Sequence, residues 1–413
     1  MASLRHPLRA GHALTLLEGS AEFFPALVAA VDAAATEVWL ETYIFDFTAE
    51  SQAVAEALER AARRGVQVRV VVDGFGTSGT PQAWARRLAA AGVEWQVYAP
   101  LGSLGLAWPG SWRRLHRKLC VVDRAVAFCG GINILDDLHD PNHGTLAAPR
   151  PDFCVRVQGP LVAEVHLAMQ QVWLRLQGLG GVRGFQPQAL AEAWFTPRAE
   201  PAAMATPEAL ARFAAGAPDA TGARAALLLR DNLLRRTRIE RAYLRAIGRA
   251  REEVLIANAY FVPGRRLRLA LERAAQRGVR VTLLLQGRYE YFMQYYASRP
   301  VYASLLRAGV AIHEYSPSFL HAKVAVIDGH WATVGSSNLD PLSLLLAREA
   351  NLVIDDAAFA AVLRRRLLEA IHQQGEVTDP VDYANRPWRQ RVLERLALVV
   401  MRLALLVQGK KYL

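Results

Sequence analysis

One eighteen-residue pattern occurs twice in this chain, and the spacings of its motif residues agree residue for residue. Residues 116–133 read H-R-K-L-C-V-V-D-R-A-V-A-F-C-G-G-I-N, and residues 321–338 read H-A-K-V-A-V-I-D-G-H-W-A-T-V-G-S-S-N. His116, Lys118, Asp123, Gly130, Gly131 and Asn133 thus stand against His321, Lys323, Asp328, Gly335, Ser336 and Asn338. The repetition extends well upstream of both. E-V-W-L-E-T-Y-I-F (37–45) is answered by E-V-L-I-A-N-A-Y-F (253–261), and A-L-E-R-A-A-R-R-G-V-Q-V-R-V-V-V (57–72) by A-L-E-R-A-A-Q-R-G-V-R-V-T-L-L-L (270–285). A-G-V-E-W-Q-V-Y (91–98) likewise matches A-G-V-A-I-H-E-Y (308–315). A match of this length is the duplication of a whole domain, not a short solenoid repeat.

Lysine usage sharpens the motif. Positive charge is carried almost wholly by Arg, and the only lysines are Lys118, Lys323, Lys410 and Lys411. Two of the four occupy equivalent motif positions, so a compact ammonium is needed where a planar guanidinium fork does not fit, as against a phosphate oxygen.

Hydrophobic periodicity predicts a helix over 21–35, a strand over 37–45, a helix over 51–64 closed by Gly65, and the strand 66–73. A helix over 81–91 closed by Gly92 and a strand over 93–98 follow, and this β-α-β-α-β order implies a largely parallel sheet with helices on its faces. In the motif, 119–122 and 125–129 read as two short strands with Asp123-Arg124 at the turn. His116 and Lys118, two residues apart, then share a face. A strand begins after Asp152, and 161–176 reads as a helix. Residues 178–224, rich in Gly, Pro and Ala, read as a connector, and 235–250 as a basic amphipathic helix. The loop 100–114 carries Leu104, Leu106, Trp108 and Trp112 beside Arg113 and Arg114, readable either as ordinary packing or as a lipid-contacting rim. Tyr289, Tyr291, Phe292, Tyr295 and Tyr296 form an aromatic loop where the first copy has 74–81. The divisions expected are a first domain over 1–180, a connector over 181–224, a second domain over 225–387 and a tail over 388–413.

Composition narrows the class of partner. A formal net charge of +11 points to anionic partners, membrane lipid or nucleic acid. Cys120, Cys129 and Cys154 are too few and too apolar in setting for a disulfide framework or metal site, which favours a reducing compartment. Neither a signal-peptide core nor an apolar run of about 18 residues is expected, so no ordinary membrane span is predicted. The tail from Trp388 is apolar with Arg391, Arg395 and Arg402 interspersed. As a helix it suits a membrane interface, with Lys410 and Lys411 reaching head groups; packing on the protein's own core is the competing reading.

The doubled HxKx4D pattern resembles the phospholipase D superfamily over nearly the whole chain. The second block, H-W-A-T-V-G-S-S-N-L-D-P-L-S-L-L-L-A-R-E-A-N-L (330–352), is similar to bacterial cardiolipin synthases, those of B type in particular, since no paired N-terminal spans are expected. The resemblance implies an α/β fold of two duplicated α/β/α sandwich domains about a pseudo-twofold axis, sharing one active site and needing no cofactor and no metal. It implies His116 as nucleophile, forming a phosphatidyl-histidine, and His321 as acid and then base, although pseudo-symmetry leaves the two roles exchangeable. Lys118 and Lys323 would hold non-bridging oxygens with Asn133 and Asn338. These residue types suit metal-free phosphodiester cleavage, which needs a nucleophile, a proton donor and positive charge on the developing anion. A nucleophilic imidazole also needs its other nitrogen held, and Asp152 and Glu349 stand where the family places that carboxylate. Asp123 and Asp328, counted with the catalytic set as motif members, suit a hairpin tie better than proton transfer. His139 and His143 suggest a metal only weakly, and Arg364-Arg365-Arg366 reads as a solvated helix face.

The function these expectations favour is cardiolipin synthesis from two phosphatidylglycerol molecules at an anionic phospholipid membrane. The protein would sit peripherally on the cytoplasmic face of the inner membrane, with no obligatory protein partner and no nucleic acid. Hydrolysis by a phospholipase D is the alternative, and a nuclease, whose binding would weaken steeply with salt, a remoter one.

Overall fold

The hairpin of each motif sets the strand order around it. In the computed structural model, which describes residues 8–77, 79–100, 113–140, 143–181, 222–231, 237–288, 292–340 and 347–407, both hairpins turn on a motif aspartate. Asp123 and Arg124 have φ of 49° and 53°, and Asp328 and Gly329 have φ of 49° and 66°. Two successive positive φ values make the tight two-residue turn whose twist matches its strands. Asp and Gly tolerate that conformation; Arg124 is held in it by an ion pair with Glu37.

The first half runs β1 (Arg9–Glu18), helix Gly19–Asp32, β2 (Glu37–Thr42), helix Gln52–Arg63, β3 (Gln67–Asp73), helix Gln82–Ala91, β4 (Glu94–Tyr98) and β5 (Arg114–Leu115). The hairpin β6 (Lys118–Val122) and β7 (Val126–Gly130), the small hairpin β8 (His139–Asp140) and β9 (Gly144–Thr145), β10 (Phe153–Gln158) and helix Leu161–Gly181 follow. The second half repeats it: β11 (Ala223–Arg230), helix Arg238–Arg249, β12 (Glu253–Asn258), helix Arg265–Gln276, β13 (Arg280–Gln286), helix Phe292–Arg307 and β14 (Ala311–Tyr315). The hairpin β15 (Lys323–Ile327) and β16 (Trp331–Gly335), β17 (Ala347–Asp355), helix Ala357–Gln374, β18 (Gly375–Val377), and helices Pro380–Ala384 and Trp388–Val407 complete it.

The strand order is β4-β3-β2-β6-β7-β10-β1-β11-β17-β16-β15-β12-β13-β14-β18. Read from the β1–β11 seam outward, the two halves are the same list up to β4 and β14, with β18 added at the edge of the second, which is the topological form of a pseudo-twofold axis. Within each half three strands are parallel, β2-β3-β4 and β12-β13-β14, and the motif hairpin adds antiparallel to the first of them. The chain is therefore a duplicated α/β fold. One buried cluster covers the outer helical face of each half, and a third spans the seam, with Val121, Val155 and Leu161 beside Val324, Leu352 and Leu363. Helix Leu161–Gly181 packs on β11, and helix Ala357–Gln374 on β1, so each half covers part of the other's sheet.

Several expectations need correction. The seam strands β1 and β11 were not anticipated, and β11 starts at Ala223, inside the range read as connector. Their apolar runs are short and irregular, and only pairing across the seam makes them strands. Residues from Phe292 onward, read as an aromatic loop, are helical; Tyr289 and Tyr291 lie outside the described residues, as do Leu104, Leu106, Trp108, Trp112, Lys410 and Lys411. The run Arg364-Arg365-Arg366 is more than a solvated face: Arg364 pairs with Glu253 at 2.5 Å, and Arg366 reaches Glu18 and Glu22 of the first half, each at 2.9 Å.

Candidate active site

Each motif histidine enters the site on a backbone bond to the opposite half. His116 N–H donates to the Arg348 carbonyl at 3.0 Å, where β5 adds parallel to β17, and His321 N–H donates to the Pro151 carbonyl at 3.0 Å. The residue after each acceptor is a carboxylate, and it takes the same ring. His116 Nδ1 lies 3.1 Å from both Glu349 oxygens, and His321 Nδ1 lies 2.5 Å from Asp152 Oδ2. The two pairs are crossed: the carboxylate that follows one motif serves the histidine of the other. A carboxylate at Nδ1 fixes the ring proton there and leaves the Nε2 lone pair for chemistry.

The lysines lie beside these pairs. Lys118 Nζ donates to the His116 carbonyl at 2.7 Å, and Lys323 Nζ donates to the His321 carbonyl and lies 3.4 Å from Asp152 Oδ2. Both ammonium groups sit in buried side chains. Burial, with the repulsion of Lys323, draws Lys118 down to about 7. Burial and then Lys323 hold His321 down to about 3 despite Asp152, and burial lowers His116 too, so both rings rest neutral. Burial alone would raise Asp152, but Lys323 and His321 beside it keep its carboxyl below the usual range. A site that cannot readily keep both lysines charged is short of negative charge, which an anionic phosphodiester would bring.

The small motif residues are explained by how the carboxylates pack. A Cβ on Gly131 would collide with the Asp152 carboxylate, and one on Gly335 with the Asn351 side chain. At the position equivalent to Gly131, Ser336 Oγ donates to Glu349 Oε2 at 2.5 Å. The shorter Asp152 thus goes with glycine and the longer Glu349 with a serine donor. Asn133 Oδ1 accepts from Ile44 N–H at 3.1 Å, which leaves its amide N–H2 as donor, and Asn338 is buried at the equivalent place.

Asp123 and Asp328, counted above with the catalytic residues, are elsewhere. Each lies at the turn, a strand length from its histidine, where Asp123 accepts from the backbone of Ala35, Thr36 and Glu37, and Asp328 from that of Arg251, Glu252 and Glu253. Those bonds tie each hairpin to the start of β2 or β12, and they hold both carboxyls below the usual range against the opposing effect of burial. His143 N–H bonds Asp140 Oδ1 and its ring meets Phe319, and no cluster of three or more His, Cys, Asp or Glu fit for a metal occurs among the described residues. The cysteines are buried free thiols.

Tyr43 is a site residue that sequence reasoning missed. Its ring meets His116 edge-on at 4.9 Å and lies 5.3 Å from Lys118 Nζ, while the equivalent position before the second motif is Ala259. The signal was present, a tyrosine facing an alanine in otherwise matching strand ends, but it takes the fold to bring residue 43 to residue 116.

Comparison with known proteins agrees with this geometry. A family model described as cardiolipin synthase, PLD-like domain, matches residues 27–148 and 243–371. The chain is 37% identical to cardiolipin synthase B of Salmonella typhi over 92% of this chain and 85% of that protein. It is 36% identical to cardiolipin synthase B of Escherichia coli strain K12 over the same shares, 92% and 85%. Among solved structures, phosphatidylserine synthase of Haemophilus influenzae Rd KW20 superposes with a TM-score of 0.67 at 13% identity, covering 97% of both chains, a likeness of fold.

Proposed function

The chain belongs to the cardiolipin synthase, phospholipase D-like family, and from that membership we propose that it joins two phosphatidylglycerol molecules into cardiolipin and glycerol. It is a phosphatidyltransferase of that superfamily. The observation that carries the mechanism is the crossed pairing of two neutral imidazoles, each beside a buried lysine.

In the first step His116 Nε2 attacks phosphorus, a P–N bond forms, and the P–O bond to the glycerol headgroup breaks. His321 gives its Nε2 proton to the departing oxygen. In the second step His321 takes the proton from the terminal hydroxyl of another phosphatidylglycerol, whose oxygen attacks phosphorus as the P–N bond breaks. Lys118 and Lys323, with Asn133 and Asn338, hold the non-bridging oxygens. His321 rests neutral, so it takes up its proton along with the substrate: the phosphate offsets the lysine repulsion that, after burial, holds the ring down.

The protein works at an anionic membrane surface, peripheral to the cytoplasmic face of the inner membrane. Helix Trp388–Val407 supports this: it packs on helix Phe292–Arg307, with Ala397 buried and Glu394 paired to Arg386 just before its own start, yet leaves Trp388, Val392, Leu396, Val399 and Val400 exposed beside Arg389, Arg391 and Arg395. No helix among the described residues is long and apolar enough to cross a membrane. The test is purified protein with phosphatidylglycerol vesicles and no added metal, the lipids read by mass spectrometry. Cardiolipin with equimolar glycerol is expected; phosphatidic acid alone would mark a hydrolase and overturn the transferase reading.

A further inference from the structure

The pseudo-twofold relation is broken at one residue pair, whose members have exchanged places. In each half an arginine lies over a phenylalanine, and one member of the pair stands two residues before the motif histidine. In the first half Arg114 lies over Phe75, 6.0 Å from the ring centroid; in the second, Arg288 lies over Phe319 at 4.9 Å. Phe75 and Arg288 are equivalent in sequence, and so are Arg114 and Phe319, so the pair has swapped its members. The residue behind each pair differs in charge. Asp73 accepts from Leu115 N–H at 2.8 Å and pairs with Arg114 at 3.2 Å, neutralising it. Its counterpart Gln286 accepts from Leu320 N–H at 3.0 Å in the same way, but it is an amide.

Among the described residues Arg288 has no such neutralising partner and makes one long bond, Nη1 to the Pro317 carbonyl at 3.4 Å. Gln286 Nε2, in a side chain only 9% exposed, has no acceptor among the described residues. A guanidinium without a counter-ion among the described residues, two residues along the chain from an orphaned buried amide donor, is an arrangement for an anion, and Arg is the side chain that takes phosphate bidentately. Phe319, which supports Arg288, also meets His143 of the first half at 4.8 Å and stands two residues before His321.

We propose that Arg288 and Gln286 form the subsite for the phosphodiester of the second, acceptor phospholipid. This rests on the transferase reading above. The donor's phosphodiester occupies the histidines and lysines. An acceptor phosphatidylglycerol that presents its terminal hydroxyl there carries its own phosphate one glycerol unit away, and a neutral alcohol acceptor carries none. The subsite therefore selects among acceptors.

Ethanol added to phosphatidylglycerol vesicles makes the enzyme report both outcomes in one tube, cardiolipin from the anionic acceptor and phosphatidylethanol from the neutral one. Arg288→Gln is expected to lower the cardiolipin to phosphatidylethanol ratio about tenfold or more, the scale of one charge-assisted hydrogen bond. Gln286→Asp, which restores the carboxylate of the first half and keeps the bond to Leu320, is expected to lower the ratio in the same direction and tests the subsite even if Arg288→Gln fails to fold. A ratio unchanged in Gln286→Asp and in any active Arg288→Gln protein, whether both products persist or fall together, overturns the proposal. Inorganic phosphate at millimolar concentration is expected to leave the wild-type ratio alone; a ratio that drops with it marks a site for free anion and overturns the lipid assignment. Wild-type protein yielding neither product would instead refute the transferase reading.

Discussion

At the scale of single residues, the proposed chemistry rests on carboxylates that hold rings across the seam. Asp152→Asn and Glu349→Gln keep shape but remove the charge, and each should lower turnover by about 10²-fold or more. The crossing has its own signature. The Nδ1–H proton resonance of His321 should move upfield in Asp152→Asn and stay in Glu349→Gln, with the reverse for His116; both moving in either variant would refute the crossed assignment. Burial also makes the site a stability liability. His321 titrates near 6.5 when unfolded and is held to about 3 when folded, so across that window the unfolded chain binds a proton the folded site refuses. Stability therefore rises with pH from about 3 to about 6.5 and is lost on acidification. His321→Asn, which can still donate to Asp152, should lose about 1–2 °C less in Tm than wild type between about pH 7.5 and pH 5. Equal losses would show that the ring does not titrate in this way.

At the scale of elements, helix Trp388–Val407 does two jobs with two faces. Its buried face covers helix Phe292–Arg307, so deleting it would uncover that neighbour; substitution of the other face is the cleaner test. Val392→Ser, Leu396→Ser and Val400→Ser together should release the protein from anionic vesicles in flotation, with secondary structure unchanged by circular dichroism. Unchanged flotation would move the anchor to the surface loops. The hairpin elements behave differently. Asp123 and Asp328 read as catalytic by membership of a motif, yet their carboxylates are spent on backbone N–H groups, three residues' worth in each half. A motif records what must recur together, and a tie that fixes a hairpin recurs as faithfully as a nucleophile.

At the scale of the molecule, neither half holds a complete ring-and-carboxylate pair, so one chain makes one site. Mixing His116→Ala protein with His321→Ala protein should restore no cardiolipin synthesis, because each chain still lacks one histidine of its only site; recovery on mixing would mean that sites form between chains. The duplication, the motif residues, the parallel β-α-β core and the candidacy of Asp152 and Glu349 were legible in the sequence, because each depends on local spacing or on a match between two segments. Spacing could not say which carboxylate serves which histidine, that Tyr43 meets His116, or that Asp73 pairs with an arginine where its counterpart Gln286 holds only a backbone N–H among the described residues. The first follows from β1 and β11, the strands that fuse the halves and whose short apolar runs drew no signal from the sequence; the others arise where each half folds on itself. The sequence by itself determined the two half-sites, since the same elements fold the same way around each; only the tertiary structure crossed them into one, because contacts between residues as far apart as 169 positions, for Asp152 and His321, and 233, for His116 and Glu349, are made by packing and not by spacing.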